Sequence, residues 1–196
     1  MAKGTNVARI LYKEIIRGDL RKILAQSNDS DSGGGARDFR FGSYEKLRPT
    51  IQKMFPYVIQ EKRKRNGKLS HIDVFKGEFY WYNDQEQIEH KESFFEPPTD
   101  VRPSEGRIVR VHEYGCFDLK RLPKEEGYRV FLLLIQLFDG SVWPYYAGEN
   151  DLINAKWHPE VAKELLDCLK ANRASNRAVI GYRDFTNGGD KYCNGE

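Results

Sequence analysis

The sequence predicts an α+β, mostly β protein: a closed or partly open mixed-strand barrel of about seven strands with flanking helices. Three observations carry this. Aromatic residues make up 13% of the chain, with 11 Tyr, 11 Phe and 3 Trp, and aromatic side chains favour pleated, half-buried strands. Short alternating runs recur between turn signals. These runs are not interleaved with helical patterns in the way a repeating strand–helix architecture requires. At 196 residues the chain reads as a single domain over 1–183 with a C-terminal tail at 184–196.

The elements follow in order. Val7, Ile10, Leu11, Ile15 and Ile16 recur at helical spacing, which predicts an N-terminal amphipathic helix over about 5–17, ended by Gly18. Residues 20–26 fit either a further helical turn or a strand. Residues 27–36 are small or polar and hold Gly33, Gly34 and Gly35. They have almost no apolar surface to bury, and their glycines let the chain bend sharply. Residues 38–42 read as extended. A helix follows over 43–55, capped by Ser43, with Leu47, Ile51, Met54 and Phe55 on one side. Pro49 is expected to shorten or kink it, and Pro56 to end it.

Residues 57–60 read as a strand, 61–68 as a charged turn signalled by Asn66-Gly67, and 69–75 as the partner strand. Residues 78–82 form another short aromatic strand. The stretch 83–104 is acidic, punctuated by Pro97, Pro98 and Pro103, and is expected to be irregular. Residues 107–112 alternate as a half-buried strand. Residues 129–138 are nearly continuous apolar, as in a central strand. Asp139-Gly140 turns the chain, and 141–146 pair back as a hairpin. Pro159 opens a helix over 158–171 with Val161, Leu165, Leu166 and Leu169 on one face and Cys168 in the core. Residues 178–182 read as a last strand and 186–196 as a frayed tail.

Several function classes are excluded on composition. The longest apolar run, Val130–Ile135, is six residues, far too short for a membrane span, and the N-terminus carries no secretory pattern. Cys116, Cys168 and Cys193 are widely spaced and odd in number. Neither a disulfide nor a zinc site is expected, and a reducing cytoplasm fits best. The triple glycine is followed by Ala-Arg-Asp rather than Gly-Lys-Ser/Thr, so it is not a phosphate-cradling loop. His71, His90, His112 and His158 are scattered, and no Gly-x-Ser-x-Gly elbow is present. No cofactor, metal or catalytic residue is assigned. The acid sets nearest to a metal-dependent nuclease are Asp73, Lys76 and Glu78, and Asp100, Glu105 and Arg107. Both are cramped, and the second places an always-protonated arginine where a lysine is usual. A small Mg-dependent restriction-type endonuclease is the alternative reading, and a protein–protein adaptor with solubilising basic loops is a third.

Charge is the richer signal. Residues 1–70 hold 16 Lys and Arg against 7 Asp and Glu, whereas 71–100 hold 2 against 8. A net charge of +3 therefore conceals a basic region suited to an anionic partner. Basic and aromatic residues interleave at Arg37-Asp-Phe-Arg40-Phe41, and Arg107-Ile-Val-Arg110-Val-His112 repeats the theme. Lys62-Arg63-Lys64-Arg65 is a purely cationic run. Phosphate contacts supply affinity for DNA, and side chains at base edges supply sequence choice. The candidate DNA-binding residues are Ser27, Asn28, Asp29, Ser30, Ser32, Arg37 and Arg40 in a first arm, Arg107, Arg110 and His112 in a second, and Lys62, Arg63, Lys64 and Arg65 as backbone contacts.

The order of these features resembles a known family. The run 27–37, Ser-Asn-Asp-Ser-Asp-Ser-Gly-Gly-Gly-Ala-Arg, is similar to the polar, glycine-rich arm of the effector-binding domain of type IIE restriction endonucleases. Met54-Phe55-Pro56 matches a Phe-Pro element that follows it there. Glu105-Gly-Arg-Ile-Val-Arg110 is similar to the family's second arm. Residues 130–138, Asp139-Gly140 and the Trp143 strand match the apolar strand, turn and Trp-bearing strand after it. The resemblance covers roughly 18–170. It implies a DNA-binding pseudobarrel, also used by plant auxin-response factors, whose two arms grip duplex DNA in the major groove. It further implies a restriction or prokaryotic-defence setting and a nuclease domain or subunit as partner. Two departures stand out. Gly34-Gly35 is followed by Ala36-Arg37 where the family carries Gly-Gly-His-Gln, which implies a different target. Residues 62–96 also match poorly, and the acidic excess of 71–100 would repel DNA if it faced it.

Overall fold

A computed structural model describes residues 6–24, 38–65, 68–123, 129–154, 157–172, 177–186 and 189–195. The fold is mostly β, with ten strands among the described residues rather than about seven, in one curled, half-barrel sheet of mixed strands. The strands are β1 (Val7–Glu14), β2 (Phe39–Phe41), β3 (Tyr57–Arg65), β4 (Lys68–Tyr82), β5 (Ile88–Glu96), β6 (Gly106–Ile108), β7 (Val130–Leu137), β8 (Val142–Gly148), β9 (Ile180–Asp184) and β10 (Lys191–Cys193). They run in the order β10-β9-β1-β7-β8-β4-β5-β6-β2, with β3 paired to β4 off this path. Neighbours are antiparallel except β4 and β8, which meet in parallel at Phe79 and Val142. The helices are α1 (Arg17–Leu24), α2 (Tyr44–Met54), α3 (Glu149–Ile153) and α4 (Pro159–Asn172).

The expected N-terminal helix is strand β1, held between β7 and β9. Ile10 and Tyr12 lie in the layer under α4 with Phe131, Leu133, Leu165 and Leu169. Leu11 lies in the opposite layer with Phe39, Leu47, Phe79 and Leu132. A strand buried on both faces loses the polar alternation that identifies strands. Its apolar residues then fall at i, i+3 and i+4 by chance and imitate a helix.

Helix α2 matches its expected place, with Leu47, Ile51 and Met54 buried. It runs through Pro49 without interruption, and Ser43 makes no side-chain cap bond, sitting instead in the left-handed region at φ 53°. The stretch 83–104 is not wholly irregular, because β5 occupies Ile88–Glu96. The tail is not frayed either. Strand β10 pairs with β9, and Cys193 forms a disulfide with Cys168 of α4. Cysteine count alone argued against a disulfide, yet the fold brings two partners 25 residues apart into contact. Cys116 stays free and buried, and burial pushes its thiol pKa far up.

A buried polar node locks the sheet to α2. Asp184 accepts from Lys53 at 2.7 Å and from Arg9 at 3.3 Å, while the Gln136 amide donates to the Lys53 and Gly140 carbonyls, both at 3.1 Å. Burial opposes the Asp184 charge, but Lys53, Thr186 and Arg9 outweigh it and hold the carboxyl well below the usual carboxylate range. A carboxylate depressed in the folded state contributes stability above its unfolded value of about 4, and that stability is lost as pH falls through the folded value. Urea titrations of wild type below about pH 4 should therefore show steeply falling stability, and Asp184→Asn should flatten that limb. Cys193→Ser should cost about 3 kcal/mol of unfolding free energy, measured under oxidising conditions, because the staple closes a loop of this length in the unfolded chain.

Candidate nucleic-acid interface

The described end of the first expected arm, β2, meets the second at β6, at one end of the sheet. β2 pairs antiparallel with β6, and Arg40 faces Arg107 in register. Strands of three residues have little ladder of their own, so side chains must hold them. Gly106 lets β6 close over the core, since a Cβ there would lie 2.4 Å from the Phe95 ring. The Asp38 side chain, 1% exposed, accepts from Arg40 at 3.2 Å and from Arg107 at 3.0 Å. Arg107 also bonds Glu96 from both Nε (2.8 Å) and Nη2 (2.5 Å). Arg40 reaches Glu105 at 3.5 Å, and Arg102 holds the same carboxylate at 3.0 Å. Burial works against the Arg40 charge, but Asp38 and Glu105 more than offset it and raise its pKa. From the other side, buried Lys13 donates to the Arg40 carbonyl at 2.7 Å and pairs with Asp19 at 2.8 Å.

Arg40 and Arg107 are thus adjacent. Their side chains are 23% and 25% exposed and are engaged by carboxylates. Ser27, Asn28, Asp29, Ser30, Ser32 and Arg37 lie outside the described residues. The expected strand 107–112 is shorter than its alternation suggests. It ends at Ile108, Arg110 takes a left-handed backbone at φ 58°, and residues 111–113 form a 3-10 turn. This reversal lifts Arg110 and His112 out of the sheet. Arg110 lies over the Phe94 ring, 4.6 Å from its centroid, and 3.8 Å from Glu61 of β3. His112 is exposed beside it.

Lys62, Arg63, Lys64 and Arg65 do not sit in a turn. They continue β3 in a ribbon with β4, paired from Tyr57↔Lys76 out to Arg65↔Lys68. β5 joins β4 only from Phe75 onward, and β8 touches it at Phe79. Residues 68–74 of β4 therefore pair with β3 alone. At about 3.3 Å per residue this two-stranded ribbon extends roughly 23 Å beyond the main sheet. Its base is rooted by buried Val74 and Phe75, while Gln60, Lys62, Leu69, Ser70, His71 and Asp73 are exposed. Between 61 and 73 it carries five Lys and Arg against two acids.

A second surface was not expected from the sequence. On β4, Phe75, Gly77, Phe79 and Trp81 are buried, so Glu78, Tyr80 and Tyr82 project from the opposite face. Tyr80 stacks on His90 with centroids 5.4 Å apart, and on Trp143 at 5.8 Å. Tyr82 meets Trp143 at 5.3 Å. The Tyr80 hydroxyl donates to Glu78 at 2.7 Å, and His90 Nδ1 lies 2.5 Å from the other Glu78 oxygen. The Glu78 bond pushes the Tyr80 pKa up to about 12, and the bonds from Tyr80 and His90 hold the Glu78 carboxyl below its ordinary value.

The acids considered for a nuclease have other partners. Asp73 sits on the ribbon beside Gln60, Glu78 is held by Tyr80 and His90, and Glu105 is held by Arg40 and Arg102. Among the described residues no three His, Cys, Asp or Glu side chains are grouped to hold a metal ion. Also among them, no helix is long and apolar enough to cross a membrane. No family model matches this chain, and neither a curated protein nor a solved structure is significantly similar to it.

Removing the shared carboxylate tests the edge assembly. Asp38→Ala leaves two half-buried guanidiniums without their common partner, and should cost about 3 kcal/mol or more in urea unfolding. Arg102→Ala, at the exposed rim, should cost less than about 1 kcal/mol.

Proposed function

We propose that this chain is a duplex DNA-binding module without catalysis of its own, which reaches the major groove with projecting β segments. The single observation that supports this reading is the β3–β4 ribbon. It extends beyond the main sheet, is exposed at Gln60, Lys62 and 69–71, and its far end carries the Lys62–Arg65 run. A two-stranded ribbon matches the width of the major groove of B-DNA, and closely spaced cations on it neutralise phosphates and release counterions. Arg110 and His112 stand near the ribbon's flank through Glu61, so they extend the same cationic surface. The glycine-rich run 27–37 leads directly into Asp38 and β2, beside β6, which suits a first arm rooted next to a second.

Within this reading the arginines divide by role. Lys62, Arg63, Lys64, Arg65, Arg110 and His112 contact DNA. Arg40 and Arg107 hold the root of the arms and contact DNA little, because Asp38, Glu96 and Glu105 already engage them. Sequence choice would rest with Asn28, Asp29 and Arg37, whose side chains suit base edges.

Affinity for duplexes, measured by anisotropy across a salt series, should fall steeply with rising salt. Replacing Lys62, Arg63, Lys64 and Arg65 together by Ala should lower the log–log salt slope by about 3 and weaken binding on the order of 100-fold at low salt. Arg40→Ala should lower stability more than affinity. A wild-type protein that binds no duplex at low salt, or an unchanged slope in the ribbon variant, would refute the proposal.

A further inference from the structure

We propose that the exposed aromatic and acidic face of β4, β5 and β8 is the docking site for the Lys62–Arg65 end of the ribbon from a second copy of this chain. The face is built by parity. β4 turns Glu78, Tyr80 and Tyr82 outward, and β5 sets Glu92, His90 and Ile88 directly opposite them. Trp143 of β8 completes a row of rings across three strands with Tyr80 and His90. On neighbouring strands the α3–α4 side of the sheet is covered, with Tyr145 of β8 packed on Trp157. That cover stops short of β4 and β5, where Tyr82 is 48% and Ile88 56% exposed.

Charge names the occupant. Glu78 and Glu92 are cross-strand partners, and like charges in that position destabilise a sheet. Asp139 adds a third carboxylate close enough to act on Tyr80, and Asp84 and Glu86 stand exposed at the β4–β5 turn. Lys76 answers Glu92, His90 answers Glu78 and Lys120 answers Asp84, which leaves Asp139 and Glu86. The surface retains a negative excess spread over aromatic rings. A guanidinium suits such a place, because its plane stacks on Trp and Tyr faces while its fork bonds carboxylates.

The complementary surface lies on the same chain. The ribbon end carries Lys62, Arg63, Lys64, Arg65 and Lys68. It cannot reach its own acidic face, because β3 is paired along β4 out to Arg65↔Lys68, and Lys68 and Tyr80 are separated by about 40 Å of β4. A second copy related by a two-fold axis can. Each ribbon then lies on the other's face, so one interaction is made twice, as closed symmetric dimers do. This does not depend on DNA binding. Because the ribbon serves both, duplex DNA and the second copy compete for it.

Sedimentation of the full chain tests this. Wild type should be dimeric at about 50 mM salt and monomeric at about 500 mM, where screening is strong. Glu78→Lys with Glu92→Lys should be monomeric throughout, as should the ribbon reversal Lys62→Glu, Arg63→Glu, Lys64→Glu and Arg65→Glu. Mixing the two variants restores opposite charges at both contacts and should give a heterodimer. Trp143→Ala should weaken dimerisation at least about tenfold. Circular dichroism and urea midpoints confirm folding, and Glu92→Lys alone replaces the double variant if that one is unfolded. Monomeric wild type at low salt, or charge-reversed variants that associate like wild type, would overturn the proposal. The outcome separates from the DNA reading, because the Glu78→Lys, Glu92→Lys protein keeps its ribbon and should still bind duplex.

Discussion

The Asp38 carboxylate is the constraint around which the candidate site is organised. It is buried, and two guanidiniums from different strands converge on it. Taking three charges partly out of water is costly unless each is paired and hydrogen-bonded. Glu96, Glu105 and the backbone of β2 supply the remaining partners, and Lys13 joins them from the centre of the sheet. β2 and β6, three residues each, are held as an edge by this assembly rather than by ladder bonds alone. The same assembly decides which cations face outward. A count of arginines along the chain treats Arg40, Arg107 and Arg110 alike, whereas buried carboxylates hold the first two and Arg110 meets Glu61 only at 3.8 Å.

β4 distributes the remaining roles. Its first half leaves the main sheet with β3 as sole partner, and its second half lies between β8 and β5. One strand therefore pairs with the cationic run of β3, roots it in the aromatic core at Phe75 and Phe79, and carries an outward row of Tyr80 and Tyr82. Because it is continuous, the projection and the row keep a fixed separation. Neither can bend toward the other without breaking core packing of Phe79 against Phe55, Tyr114 and Phe117.

Parts of the fold were legible where local chemistry was unambiguous. The β7–β8 hairpin followed from an apolar run, an Asp-Gly turn and an alternating return. α4 followed from Pro159 and its apolar face, and α2 from its periodicity ahead of Pro56. β1 was misread because both of its faces are buried. β5 was missed because its outer half is polar and acidic, with apolar residues only near Phe94 and Phe95. β10 and the Cys168–Cys193 pair were missed because spacing does not report which helix a tail will meet. At the site, the cationic run 62–65 was evident, but not that it prolongs a strand. In Glu78-Phe-Tyr-Trp-Tyr82 both parities are aromatic, so the pattern alone gave no sign of which face is solvent-exposed.

Local order and composition settled the mostly β class, the Asp139-Gly140 turn, helices α2 and α4 and the unequal distribution of charge. These depend on backbone preferences and side-chain chemistry acting over a few residues. Pairing across the chain settled the number of strands, which arginines are engaged and which aromatic rings reach water. Those outcomes depend on residues such as Asp38 and Arg107, 69 positions apart, meeting in space. No window along the sequence contains both members of such a pair.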